Sequence, residues 1–133
     1  MSNVERLRDL LGSAVEEPDR YFEAIAPDVV WDLRDTASPE AGIYHGREAV
    51  REFYRRWSSS FSDWNFEIDE LIDAGEHVVA FVTEHGHGLG SGVGVEMKRA
   101  NVTTFRQGTI IHFRSFGDRD AALRYAGLDP GSA

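Results

Sequence analysis

HVVAFVTEHGHGLGSGVGVEMKRANVTTFRQGTIIHFRSF, residues 77–116, reads as three successive β-strands. His77 to Gly88 forms the first, centred on the apolar run Val78, Val79, Ala80, Phe81 and Val82. A glycine then stands at every even position from Gly86 to Gly94, the mark of a flexible connection. This glycine run has neither the spacing of a phosphate-binding loop nor a helix after it, so it is not read as a phosphate cradle. Val95 to Arg106 is the second strand, Gln107-Gly108 a tight turn, and Thr109 to Phe116 the last strand. Strands joined by such short connections pair antiparallel.

Working outward, the period of two extends upstream. Trp64, Phe66, Ile68 and Ile72 alternate with Asn65, Glu67, Asp69 and Leu71, and Asp73 to Glu76 is a turn. Before this meander the period becomes helical. Val50, Phe53, Tyr54, Trp57 and Phe61 form one apolar stripe, with six charged residues from Arg47 to Arg56 on the other face. Residues 34–45, which hold Pro39 and Gly42, read as a loop, and Val29 to Leu33 as a short strand. Pro18 opens a short helix, with Tyr21, Phe22 and Ile25 as its buried side and Pro27 as its stop. Ser2 and Glu5 have the spacing of a capping box for a first helix carrying Val4, Leu7, Leu11, Ala14 and Val15 on one face. Asp118 caps a last helix that stops at Gly127. Early helices and a late meander make an α+β fold, a curved antiparallel sheet wrapped around N-terminal helices as a cone with one apolar interior.

The 133 residues suit a single domain, large enough to bury about two thirds of its unfolded surface. There is no cysteine, which excludes disulfides, thiolate metal sites and a cysteine nucleophile. With 14 Lys+Arg against 23 Asp+Glu, the net charge of −9 argues against nucleic acid as a partner. No apolar run spans a membrane, and the charged N-terminus is unlike a signal peptide, so a soluble cytoplasmic protein is expected. The acid excess is local. No Lys or Arg occurs between Trp57 and Met97, where Asp63, Glu67, Asp69, Glu70, Asp73, Glu76, Glu84 and Glu96 are read as the solvated rim of the sheet.

Four stretches, GIYHGREAVREFYRRW (42–57), FEIDELIDAGEHVVAF (66–81), GSGVGVE (90–96) and VTTFRQGTIIHFRSFGDRDAALRYAGL (102–128), resemble the nuclear-transport-factor-2-like superfamily, and more closely its SnoaL-like branch of polyketide cyclases. The resemblance implies a cystatin-like cone with a ligand cavity inside, and homodimers. It also implies positions for chemistry. Limonene epoxide hydrolases carry Arg and Asp two apart on the second meander strand, where this chain aligns His85 and His87, and an Asp on the last strand, where it has Ser115. SnoaL-like cyclases use that same last-strand Asp and a His on the preceding strand, here Ser115 and Asn101. Ketosteroid isomerases use a first-strand Asp, which aligns with Leu33, while Asp32 falls on the opposite face. None of these catalytic acids is retained.

The remaining candidates for acid–base work are His85, His87, Asn101 and Ser115, assumed to share the cavity face. A neutral imidazole is an available base near neutral pH, and an asparagine amide can donate to an oxyanion. The alternative for the histidines is a pair of inert polar residues at a strand end. His85 and His87 have the spacing to share a metal, but a third ligand is wanting, and neither metal nor cofactor is expected. Trp31, Tyr44, Tyr54, Trp57, Arg99, Thr103 and Phe113 are candidate ligand contacts, with ordinary core as the competing role for the aromatic wall and a solvated strand residue as that for Arg99. Val78, Ala80, Val82, Val102 and Thr104 are then expected on the outer face, where they would form an apolar surface for a homodimer. Three functions follow: a cofactor-independent isomerase, cyclase or hydratase acting on a small apolar carbonyl compound; a binding module for such a compound; or a dimeric structural module.

Overall fold

The computed structural model describes residues 1–36 and 41–132. The chain runs α1 (Asn3–Gly12), α2 (Pro18–Glu23), β1 (Ile25–Asp35), β2 (Ile43–His45), α3 (Arg47–Ser59), β3 (Asn65–Ala74), β4 (His77–His87), β5 (Gly94–Arg106), β6 (Thr109–Phe116) and α4 (Arg119–Tyr125). A 3-10 turn, Pro130–Ser132, follows. The capping box is formed: the Ser2 hydroxyl accepts the Glu5 amide N–H, and the Glu5 carboxylate accepts the Ser2 N–H. Asp118 caps α4, and Gly127 beyond it adopts a φ of 83° that only glycine takes without strain.

One sheet holds all six strands in the order β2-β1-β6-β5-β4-β3. It is mixed, since β1 runs parallel to β6 and the other neighbours are antiparallel. Two readings of the first third change. Strand β1 runs from Ile25 through Pro27 to Asp35, so Pro27 lies inside a strand and Glu23 is the last helical residue. The segment read as a loop contains β2, and Pro39 lies outside the described residues.

Helices pack on both faces of the sheet, α4 over only part of the outer one. On the inner face α1, α2 and α3 pack Leu7, Leu10, Phe22, Val50 and Phe53 against Val78, Ala80, Val82, Phe105, Ile110 and Phe113. On the outer face Ala122, Leu123 and Ala126 of α4 and its C-cap lie on Val79, Phe81, Ala100, Val102 and Phe116. The expected outward placement of Val78, Ala80 and Val82 is therefore corrected: they face inward, while Val102 does face out. The reason is physical. A strand buried on both faces is apolar at successive positions, and alternation then no longer says which side is which.

Two local features fix the register. Ile68 pairs with Val82 and Glu70 with Phe81, so a bulge at Asp69 turns Leu71 to the inner core and Ile72 to the outer one. At the other end of β4, Gly86 faces inward against Phe61. A Cβ there would sit 2.9 Å from Cδ1 and 3.1 Å from Cγ of that ring. Gly86→Ala is expected to push Phe61 aside and cost about 1–3 kcal/mol, read as a lower denaturation midpoint with an unchanged m-value.

Candidate functional site

The inner face of the sheet and the three N-terminal helices line a cavity of about 680 Å³ that opens to solvent. Strand pairing places its floor. Ala80, Asn101 and Ser115 are opposite one another on β4, β5 and β6, and Val82 is opposite Arg99. Tyr21, Phe22, Phe53, Tyr54, Trp57, Phe61, Trp64 and Phe113 wall the space above.

Two polar clusters break this apolar lining. In the first, Glu84 lies at the end of β4 with its side chain 13% exposed. Its Oε1 accepts the indole N–H of Trp57 at 3.0 Å and of Trp64 at 2.9 Å, and its Oε2 accepts Arg99 Nε at 2.8 Å. Arg99, 15% exposed, also lies 5.7 Å from the centre of the Trp57 ring. Three of the roughly four acceptor sites of the carboxylate are thus occupied, and its charge is neutralised in place. In the second cluster, Ser115 Oγ donates to Asn101 Oδ1 at 2.6 Å. Burial pushes the Tyr21 and Tyr54 phenols well up, so both stay protonated and neither serves as a base.

Of the expected catalytic group, Asn101 and Ser115 line the cavity, but His85 and His87 do not. Odd positions of β4 face outward: His85 follows Thr83 on that face, with Nε2 3.7 Å from Glu67. His87 sits at the rim, where its Nδ1 is 2.8 Å from Asp63 Oδ2 and its amide N–H donates to Asp63 Oδ1 at 2.7 Å. Hydrogen bonds from His87 hold the Asp63 carboxyl below its ordinary range. This contact ties down the turn that carries Phe61 and Trp64. The histidines are one residue out of frame for the cavity, and Glu84 occupies the frame instead.

Among the expected ligand contacts, Tyr54, Trp57, Arg99, Thr103 and Phe113 line the cavity. Trp31 and Tyr44 do not. Trp31 is fully buried in the core, stacked on Phe113 at 4.0 Å, and Tyr44 packs beside Phe53 at 5.0 Å. Leu33 does face the cavity, whereas Asp32 lies on the other side of β1, held by Arg34 at 3.0 Å. Hydrogen bonds from Arg34 keep the Asp32 carboxyl below its ordinary range. Seven of the eight acids read as a solvated rim are exposed, and Glu84 is the exception. Sequence reading missed Glu84 and Trp64. The signal available was parity, since an inward Val78, Ala80 and Val82 puts Glu84 on the same face. Among the described residues, no group of three or more His, Asp and Glu could hold a metal ion.

With the cavity and its lining established, comparison with known proteins gives the following. An NTF2-like protein from Burkholderia thailandensis E264 is 27% identical, with a TM-score of 0.77 over 96% of this chain and 98% of that one. An NTF2-like protein of unknown function from Burkholderia pseudomallei K96243 is 26% identical, with a TM-score of 0.75 over 93% and 97%. A protein from Jannaschia sp. CCS1 described as a SnoaL-like polyketide cyclase shares the fold at 19% identity, with a TM-score of 0.73 over 86% and 83%. No curated protein sequence matches. The family model of the SnoaL-like domain matches residues 4–113, and with the cone and its cavity in place the chain belongs to the SnoaL-like domain family.

Proposed function

We propose that this chain binds a small, neutral, largely apolar carbonyl compound inside the cone. The observation that supports it is the character of the cavity: about 680 Å³, walled by aromatic rings, with the largely buried ion pair Glu84–Arg99 satisfied within the protein. That volume lies in the usual range for small-molecule sites. A charged ligand would have to displace one partner of the pair, whereas a neutral one leaves it whole.

Family chemistry of the isomerase or cyclase type is the second reading, and Glu84 is the observation in its favour. It is a carboxylate set at the cavity, with one acceptor site left over from its three hydrogen bonds. The histidines contribute nothing to it, since they face away. Binding is the better supported of the two, because a carboxylate held by Arg99 and two indoles is a poorly placed proton acceptor.

Titrating the protein with 1-tetralone, a bicyclic ketone, while following tryptophan fluorescence tests the proposal. Trp57 and Trp64 line the cavity and should report saturable quenching. Ala80→Phe fills the floor and should weaken binding at least tenfold with the fold intact by circular dichroism. Equal binding by the filled variant, or no saturable signal from the native chain, overturns the proposal. Exchange of the α-protons of bound tetralone with deuterated solvent, lost in Glu84→Gln, would instead carry the second reading.

A further inference from the structure

Ser115 and Asn101 form a two-residue device whose two ends differ. Ser115 is 3% exposed, and its Oγ lies 2.6 Å from Asn101 Oδ1. The side-chain amide of Asn101 has two possible orientations, and the hydrogen bond decides between them. With Oδ1 toward Ser115, the serine proton has an acceptor. With the amide turned over, Nδ2 would donate to Oγ, and the serine proton would be left in a buried position without one. The first orientation spends both groups. It leaves Asn101 Nδ2 with no acceptor among the described residues, and Asn101 lines the cavity.

We infer that Asn101 Nδ2 donates a hydrogen bond to the carbonyl oxygen of the ligand, and that Ser115 is the positioning residue that keeps the amide turned that way. The inference rests on the proposed binding of a carbonyl compound and specifies which side chain selects for it. The neighbouring groups agree with a donor at this point. Ala80, opposite Asn101 on β4, offers no side-chain acceptor, and neither does Phe113, two residues before Ser115. Asn101 is half-buried, and Thr103, next on the same face of β5, is 2% exposed. A ligand that carries an acceptor satisfies the amide; a hydrocarbon of the same shape leaves it unpaired.

The test compares 1-tetralone with tetralin, the same ring system without the oxygen, on the native chain and on Ser115→Ala, Ser115→Thr and Asn101→Leu. The native chain should favour tetralone roughly threefold to tenfold, the range of one neutral hydrogen bond. Asn101→Leu should abolish that preference while still binding tetralin. Ser115→Ala should reduce it, because the amide is then free to turn, and Ser115→Thr, which keeps the hydroxyl, should restore it. The carbonyl stretch of bound tetralone should sit at lower frequency in the native chain and return upward in Asn101→Leu. A native chain that binds both probes equally, or a Ser115→Ala variant with undiminished preference and an unmoved carbonyl stretch, overturns this inference and leaves the pocket proposal standing. Failure of both probes to bind the native chain overturns both.

Discussion

Glu84→Ala is expected to lower the unfolding free energy by about 3 kcal/mol and the melting temperature by roughly 10 °C. The substitution leaves the Arg99 guanidinium, 15% exposed, without its carboxylate, and leaves two indole N–H groups, those of Trp57 and Trp64, without their acceptor. The loss is mainly the cost of what stays behind unpaired, not the net worth of the pair. The loss should therefore shrink when both partners go. A double replacement, Glu84→Leu with Arg99→Met, is expected to be markedly less destabilised than Glu84→Ala alone. Glu84→Gln should fall between, since its amide oxygen still accepts from the indoles. Chemical denaturation of the four proteins checks this. A Glu84→Ala variant as stable as the native chain would mean that water fills the carboxylate's place without penalty.

The same residue shows what could be read in advance and what could not. Helix α3 was legible because one of its faces is wet and the other dry: Val50 and Phe53 are buried, while Arg55 and Arg56 reach solvent. The capping box at Ser2 and the cap at Asp118 were legible because they are local, each a side chain meeting an amide two or three residues away. The meander was legible from its turns, down to Gln107 and Gly108, both with positive φ. The family and the cone followed from the order of these elements.

The faces of β4 were not legible. Val78, Val79, Ala80, Phe81 and Val82 are all buried, because α4 covers one side and the N-terminal helices the other. A shift of one residue then exchanges the whole set, which is how His85 and His87 came to stand where Glu84 does. The bulge at Asp69 has the same effect on β3 and leaves no mark in composition. Arg99 was read as a candidate ligand contact; its guanidinium is held by a carboxylate of the chain itself, 15 residues away across a strand pair. The parallel pairing of β1 with β6 depends on contacts some 80 residues apart, such as Trp31 with Phe113, and no local pattern encodes it.

Trp31→Ala is expected to cost about 4 kcal/mol, the range for removing a large aromatic from a core. Trp31 is fully buried, lies 4.0 Å from Phe113 in a parallel stack, and meets Tyr21 and Tyr54 edge-on at 6.5 and 6.0 Å. It thus supports from behind the residues that wall the cavity, and its loss should weaken tetralone binding although it never touches the ligand. Trp31→Phe should behave differently. Among the described residues the buried indole Nε1 has no hydrogen-bond partner. Phenylalanine keeps the stack on Phe113 and removes this unsatisfied donor, so the gain offsets part of the lost volume and the cost should stay below about 2 kcal/mol. A Trp31→Phe variant as unstable as Trp31→Ala would show that the indole N–H is bonded in solution and that volume is the smaller part of its contribution. A stable Trp31→Phe with weakened ligand binding would show that the rigidity of the wall, rather than its composition, depends on the indole.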